Sequence, residues 1–332
     1  MSAEVTRIPL NTFAIGFGLA GLAEAWDVGG VALNLPPVVA QLLWAVAAIA
    51  WLWLLVAHLV RGARSSASLV GQLRHPAQGP IAALVPITGM LLAGELFTLL
   101  PPAGIALLLL SDVVAGLFAA WLIGTWLQGG LQLEAVHGGY LLPTVAGGLV
   151  GADVAAKAGL SSLGWALFGV GVFFWIIMTL LVVLRLAFRP SLPDPLVPTM
   201  AILVAPPAVG GLAWFALAGI HADPVATMIA GLGVLFVLIQ FALLPKYRRL
   251  RFSLGFWSFT FPTAAVVTDA ILWAGMAGDP WSRIVPVVLL VALTALVGAI
   301  GVRSVLSVFP PSRRSGAEAV LSRADDADRV GH

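Results

Sequence analysis

The chain has 332 residues, of which 60% are hydrophobic and only 10% are charged, and its formal net charge is +2. Soluble domains carry roughly 25% charged residues, so this composition excludes a water-soluble globular protein and predicts one that lies in a lipid bilayer. The chain has no cysteine, which excludes disulfides and thiolate metal sites.

Ten apolar segments are long enough to cross the bilayer, since a helical span needs about 20 residues for ~30 Å of hydrocarbon. They lie at residues 9–26, 37–60, 81–100, 104–127, 138–158, 161–188, 197–220, 224–245, 254–277 and 283–306. Residues 1–8 lack a short apolar core with a cleavage site and are predicted to be a cytosolic tail. Residues 9–306 form the membrane domain, and the polar, mixed-charge residues 307–332 are predicted to be disordered.

Lysine and arginine are concentrated in alternate connections between the spans. The basic connections hold Arg61, Arg64, Arg74, Arg185, Arg189, Lys246, Arg248, Arg249, Arg251, Arg303, Arg313 and Arg314. The other connections hold only Lys157 and Arg283. Because cytoplasmic loops carry the excess of basic residues, this pattern predicts a plasma-membrane protein with both termini in the cytoplasm.

Prolines and glycines distinguish the odd-numbered spans from the even-numbered spans. The even spans carry prolines near their ends, whereas the odd spans are interrupted at Gly16, Pro86, Pro143, Pro206, Pro207 and Pro262. Irregular backbone at membrane depth is tolerated only where it is buried in protein or lines a cavity. The pattern predicts an all-α membrane protein of five helical hairpins, with odd helices inside around a central path and even helices outside. The alternative is that these prolines serve helix packing alone.

Four sequence runs in the odd spans resemble the tellurite-resistance/dicarboxylate transporter family. They are PITGMLLAG, YLLPTVAG, MAILVAPPAVGGLAW and GFWSFTFPTAA, and the resemblance covers residues 8–306. That family includes bacterial TehA-type channels, plant slow anion channels, and fungal malate permeases and sulfite pumps. The resemblance implies ten helices as five hairpins around a quasi-five-fold central pore, in a homotrimer of separately conducting subunits.

The resemblance also implies that a phenylalanine on the ninth helix blocks the pore, and its position corresponds to Phe261. A hydrophobic constriction can close a pore by excluding water. Pro262 is expected to push Phe261 from α-helical towards extended backbone, which would aim the ring away from the regular helix face. Judged without the resemblance, Phe261 is better explained as a residue that packs against neighbouring helices.

The predicted pore faces are rich in small and apolar residues and have no basic side chain at mid-depth. Backbone N–H groups and helix ends would then supply a weak attraction for an anion. The candidate lining residues are Phe13, Thr88, Thr144, Thr260 and Ala265. Each threonine hydroxyl can donate to an anion or to a carbonyl freed by a nearby proline, and the second role is favoured for Thr144.

Five acidic residues lie within the outer halves of the predicted spans or at their edges: Glu24, Glu95, Asp112, Asp153 and Asp269. Ionisable groups in a span are costly, so they indicate either function or pairing. Pairing with a residue such as Lys157, or a place among the headgroups, is favoured for Glu24 and Asp153. Proton coupling and a packing role stay open for the other three. Unprotonated carboxylates on the pore face would repel anions.

The sequence predicts a passive channel or channel-like uniporter for small anions such as chloride, nitrate, sulfite or short mono- and dicarboxylates. It would work in the bilayer without a cofactor, metal or nucleic acid. The alternative is a proton-coupled C4-dicarboxylate or sulfite transporter that uses Glu95, Asp112 or Asp269. A membrane enzyme is disfavoured because no nucleophile accompanies the acids, and a scaffold leaves the alternating prolines unexplained.

Overall fold

The structure is a computed structural model, and it describes residues 6–308. This part of the chain is helical, with no strand among its elements. Residues 309–332, which make up most of the tail predicted to be disordered, lie outside the described residues, as do residues 1–5.

The described chain contains ten long helical stretches and two short helices, one of which is the 3-10 helix Leu133–Ala135. The α-helices are α1 (Ala14–Leu33), α2 (Val38–Ala63), α3 (Leu69–Arg74), α4 (Leu84–Leu99), α5 (Pro101–Leu127), α6 (Gly147–Lys157), α7 (Ser161–Phe188), α8 (Ala205–Ala218), α9 (Pro224–Tyr247), α10 (Thr260–Ala277) and α11 (Trp281–Val308). Nine of the described helical stretches are long and apolar enough to cross a membrane, and α1 is not among them.

Helix α1 differs most from its predicted bounds. The apolar pattern predicts an end at residue 26, but the helix continues to Leu33 and ends at Asn34, whose φ is 55°. Glu24 and Asp27 interrupt the apolar pattern without interrupting the helix, because they do not disturb its backbone hydrogen bonds.

The helices α1, α4, α8 and α10 each directly follow a segment of 3-10 helix, and α6 follows one after an intervening turn. These 3-10 segments are Leu10–Phe13, Gly79–Ala83, Gly138–Leu141, Asp194–Val204 and Leu254–Phe259. A π-helical turn, Leu142–Ala146, joins the third segment to α6. We call these five helices, together with the segments that precede them, the inner helices, and α2, α5, α7, α9 and α11 the outer helices.

The prolines of the inner helices lie close to this change of helix type. Pro86 and Pro262 are the third residues of α4 and α10, and Gly16 is the third residue of α1. Pro207 has the same place in α8, after Pro206, and Pro143 is the second residue of the π-helical turn. An N–H in the first turn of an α-helix lacks an α-helical acceptor, so a proline there costs little. The irregularity is therefore a change of helix type before the proline.

Burial alternates along the chain. Between 50% and 89% of the most apolar stretch is buried in the inner helices from α4 to α10, against 6% to 28% in the outer helices. Half of the residues of helix α1 are also buried. The outer helices expose large apolar side chains such as Ile49, Trp53 and Phe173, as expected of surfaces in contact with lipid.

Contacts between the inner helices form a closed circuit. Helix α1 contacts α4, α4 contacts α6, α6 contacts α8, α8 contacts α10, and α10 contacts α1. Each inner helix also packs against the outer helix that follows it in the chain.

Inner helix α6 and outer helix α7 approach each other closely. A Cβ atom added to Gly148 would lie 2.7 Å from the Cα atom of Gly171 and 2.9 Å from the backbone oxygen of Leu167. Both neighbours are backbone atoms, so they cannot yield as a flexible side chain does. By contrast, a Cβ atom on the adjacent Gly147 would have no neighbour nearer than 3.9 Å.

We predict that Gly148→Ala destabilises the protein by about 1–3 kcal/mol, because the methyl group would force α6 and α7 apart. Gly147→Ala is the matched control and is expected to be neutral or stabilising by up to ~1 kcal/mol, because alanine favours the helix. Heating the detergent-solubilised variants and measuring the remaining monodisperse protein compares the two. Equal melting temperatures would contradict the close contact.

Candidate functional site

A cavity of about 280 Å³ lies at the N-terminal end of the inner helices. All five inner helices contribute to its wall, through residues such as Phe17, Leu84, Leu149, Val209 and Phe261. The cavity thus brings all five inner helices to one space. We therefore take this cavity as the candidate functional site.

The cavity wall is apolar and carries no charge. Its polar side chains are Asn11, Gln78, Thr199 and Ser258, and none of its lining residues is acidic or basic. Gln78 accepts a hydrogen bond from the Leu10 N–H at 3.3 Å, and Thr199 donates to the Leu196 carbonyl at 2.6 Å. The Oδ1 atom of Asn11 is buried and has no hydrogen-bond partner among the described residues.

Two stacked phenylalanine rings lie at the end of the cavity that points towards the C-terminal ends of the inner helices. The rings of Phe17 and Phe261 have centroids 3.7 Å apart and an interplanar angle of 20°. Both side chains are almost fully buried, with 5% and 3% of their surface exposed. No residue of α1 beyond Phe17, or of α10 beyond Pro262, lines the cavity. The cavity therefore ends at the level of the two rings.

Two glycines of α1 make room for the start of α10. The space that a Cβ atom would occupy at Gly18 is taken by the hydroxyl of Thr260. A Cβ atom on Gly21 would lie 2.8 Å from the Cδ2 atom of Phe261. Larger residues at these two positions would therefore displace α10 and the ring of Phe261.

Phe261 has a different backbone from the one that the sequence predicts. The prediction of an extended conformation before Pro262 is wrong, because Phe261 is the second residue of the α-helix that begins at Thr260. Its packing on Phe17 and against Gly21 outweighs the local preference of a residue that precedes proline. The direction of the Phe261 ring is therefore set by the α-helical backbone of α10, which begins one residue earlier, at Thr260.

Sequence reasoning identified Phe261 but not its partner Phe17. The local sequence FGLAG, residues 17–21, contains the signal: a ring followed by two glycines on one side of a helix. Helices α1 and α10 come from opposite ends of the chain. Only the contact between them shows that these two glycines pack against the segment around Phe261.

The other predicted pore residues are placed as follows. Pro206 and Pro262 line the cavity, whereas Gly16, Pro86, Pro143 and Pro207 do not. The candidate lining residues Phe13, Thr88, Thr144, Thr260 and Ala265 are all buried and do not line this cavity.

The threonine hydroxyls have different partners. Thr88 donates to the Leu84 carbonyl at 2.7 Å, and Thr260 donates to the Trp257 carbonyl at 2.8 Å. The hydroxyl of Thr144 is buried without a hydrogen-bond partner among the described residues. The prediction that Thr144 bonds a freed carbonyl is therefore wrong. The π-helical turn explains the difference, since it changes which carbonyls lie near the Thr144 side chain.

Three ionisable residues form a cluster further along the inner helices. The Nζ atom of Lys157 lies 2.7 Å from Oδ2 of Asp153 on the same helix and 3.2 Å from Oε1 of Glu24 on α1. The two carboxylates are largely shielded, with side-chain exposures of 4% and 12%, while Lys157 is 49% exposed.

The other three membrane acids lie apart from this cluster. Asp269 on α10 packs on Gly211 of α8, and its Oδ1 atom has no hydrogen-bond partner in the described chain. Asp112 on outer helix α5 packs on Gly151 of α6, and neither of its carboxyl oxygens has a described partner. Glu95 is partly exposed on α4.

The chain is similar to several curated transport proteins. A tellurite resistance protein TehA homolog of Haemophilus influenzae is 27% identical over 264 residues, which are 79% of this chain and 80% of that protein. The S-type anion channel SLAH3 of Arabidopsis thaliana is 24% identical over 319 residues, which are 91% of this chain and 49% of that protein. The guard cell S-type anion channel SLAC1 of the same plant is 28% identical over 148 residues, or 44% of this chain and 26% of that protein.

The chain thus matches most of the bacterial relative but spans only about half of the plant channel SLAH3. Across residues 7–305 it matches the family described as voltage-dependent anion channel, SLAC1. Since this match covers nearly all of the chain, the protein belongs to the SLAC1 family of voltage-dependent anion channels.

Proposed function

We propose that the protein is a passive channel for small anions, which pass along the axis of the inner helices and are stopped at Phe261. The observation that carries this proposal is the uncharged cavity, to which all five inner helices contribute and which ends at the stacked rings of Phe261 and Phe17. Membership of an anion channel family supports the same conclusion.

The proposed architecture is five helical hairpins around a quasi-five-fold pore. The closed circuit of inner helices and the packing of each on its following outer helix support it. The exposed apolar faces of the outer helices would contact lipid and the neighbouring subunits of a homotrimer.

The lining suits weak, transient contact with an anion. A conduit must attract an ion enough to admit it but not enough to retain it. The wall offers amide and hydroxyl groups from Asn11 and Ser258 and no charged side chain. The cavity volume of about 280 Å³ accommodates chloride, nitrate, sulfite or a short mono- or dicarboxylate. The two rings would close the path by excluding the water that a hydrated ion needs.

We predict that Phe261→Ala raises chloride conductance at least about tenfold over the wild-type protein, because it removes the ring that closes the path. Phe17→Ala is expected to raise it less, since the Phe261 ring would remain. Currents across planar bilayers containing purified protein measure both effects. A series of anions in the same assay gives the selectivity from the reversal potentials.

Phe173→Ala is the matched control for these two variants. It removes the same ring from outer helix α7, where the side chain is 60% exposed. Its conductance should equal that of the wild-type protein. Unchanged conductance in a correctly inserted Phe261→Ala variant would contradict the proposal that the Phe261 ring closes the path.

A proton-coupled transporter of dicarboxylates or sulfite is the second candidate function. The observation in its favour is that Asp112 and Asp269 have buried carboxyl oxygens without hydrogen-bond partners in the described chain. Glu95 is the third acid that could take part. A buried, unpaired carboxyl group in a membrane protein is a common element of proton pathways.

Simultaneous measurement of anion flux and internal pH in proteoliposomes distinguishes the two functions. A passive channel should move anions without a fixed number of protons per anion. The anion flux should also be independent of proton flux in Asp112→Asn, Asp269→Asn and Glu95→Gln. Asp279→Asn, which alters an exposed acid in a connection, is the control. A fixed proton-to-anion ratio that is lost in one of the three variants would establish the coupled transporter instead.

We also propose that the N-terminal ends of the inner helices face the cytoplasm of a cell with this protein in its plasma membrane. The connections at that end contain most of the basic residues, as expected of cytoplasmic loops.

The absence of cysteine permits a direct test of orientation. Ala67 and Ala222 are exposed in connections at opposite ends of the inner helices. We predict that a membrane-impermeant maleimide labels Ala222→Cys on intact cells but labels Ala67→Cys only after permeabilisation. The reverse pattern would invert the proposed orientation.

A further inference from the structure

The faces of α1 and α6 that line the cavity continue beyond the stacked rings. Glu24 follows Phe17 by seven residues, and Asp153 follows Leu149 by four. On an α-helix both spacings return to nearly the same face. Since Phe17 and Leu149 line the cavity, Glu24 and Asp153 lie on the axial faces of their helices. Glu24 lies ~10 Å beyond Phe17 along the axis of α1, at a rise of ~1.5 Å per residue.

The Lys157 cluster joins two inner helices that are not neighbours in the circuit. Lys157 and Asp153 belong to α6 and Glu24 belongs to α1, while α4 lies between these helices in the circuit of contacts. The 3.2 Å contact between Lys157 and Glu24 therefore crosses the bundle on its axial side. An ion that leaves the rings towards the C-terminal ends of the inner helices would meet this bridge.

Two other inner helices also carry carboxyl groups at positions that follow a cavity residue by whole helical turns. Glu95 follows the cavity residue Leu84 by eleven residues, and Asp269 follows the cavity residue Pro262 by seven. Lys157 is the sole lysine or arginine within the described inner helices. Without its ammonium group, this part of the path would present only negative side-chain charge.

We propose that Lys157 is a selectivity-determining residue, whose ammonium group keeps the second half of the path open to anions. The inference rests on the proposed channel function and adds a second functional element to it. The exposures support this role, because 49% of the Lys157 side chain is exposed while Asp153 and Glu24 are shielded at 4% and 12%. The accessible group of the cluster is thus the cation, whereas the carboxylates that hold it in place are shielded.

The test uses the Phe261→Ala background, in which the path is expected to conduct. The chloride-to-sodium permeability ratio is obtained from the reversal potential in a sodium chloride gradient across a planar bilayer. Lys157→Met should lower this ratio by up to about thirtyfold, because one unit charge at ~4 Å through water is worth a factor of about five to six for chloride and the inverse factor for sodium. Lys157→Arg should retain the ratio, because it keeps the charge.

A second variant keeps the proposal testable if Lys157→Met fails to fold. Asp153→Asn removes one shielded carboxylate and keeps Lys157, so it should raise the ratio. Arg283→Met is the matched control. Arg283 lies on outer helix α11, its side chain is 78% exposed, and it pairs at 3.7 Å with Asp279, which precedes that helix. It should leave the ratio unchanged.

The outcomes separate the two proposals. An absence of anion current in Phe261→Ala itself would overturn the proposed channel and this inference with it. Anion current in Phe261→Ala, with equal permeability ratios in the Lys157 and Asp153 variants, would overturn this inference alone. The same would follow if Arg283→Met lowered the ratio as much as Lys157→Met, since the effect would then be one of general surface charge.

Discussion

The need to satisfy backbone hydrogen bonds in the absence of water governs this structure. In hydrocarbon an irregular backbone is acceptable only where protein surrounds it. The five changes from 3-10 or π-helical to α-helical backbone all occur in the inner helices, and the outer helices continue without such a change. The same five changes lie beside the cavity, so the constraint that shields them from lipid also determines where a path through the protein can lie.

The closed state of the proposed path depends on a contact between the two ends of the chain. Phe17 belongs to the first inner helix and Phe261 to the last, and the glycines of α1 hold the start of α10 against it. Beyond the rings, Lys157 joins α1 to α6. Helix α1 thus takes part in both elements of the proposed path, which gives it a central role although it has no proline.

Hydropathy and proline positions predicted the helices and their alternating burial, since both depend on local composition. Phe261 was identified through the resemblance, and the structure places it at the cavity. The change to 3-10 backbone was not predicted, because proline in a first turn and proline in a kink look alike in sequence. Phe17 was missed because its role depends on pairing between α1 and α10, which are distant in the chain. Pairing with Lys157 was among the roles favoured for Glu24 and Asp153, and the structure shows both ion pairs.

The weak apolar character of α1 has a consequence for biosynthesis. This helix carries Glu24 and Asp27, is not among the nine stretches that qualify as spans on length and composition, and packs against α10 and α11. It also packs against α2, which is synthesised directly after it, but α10 and α11 are synthesised more than 200 residues later. The packing of α1 should therefore be completed only after α10 and α11 are made, because a nascent chain truncated before residue 260 would give α1 its contacts with α2 and α4 but not those with α10 and α11.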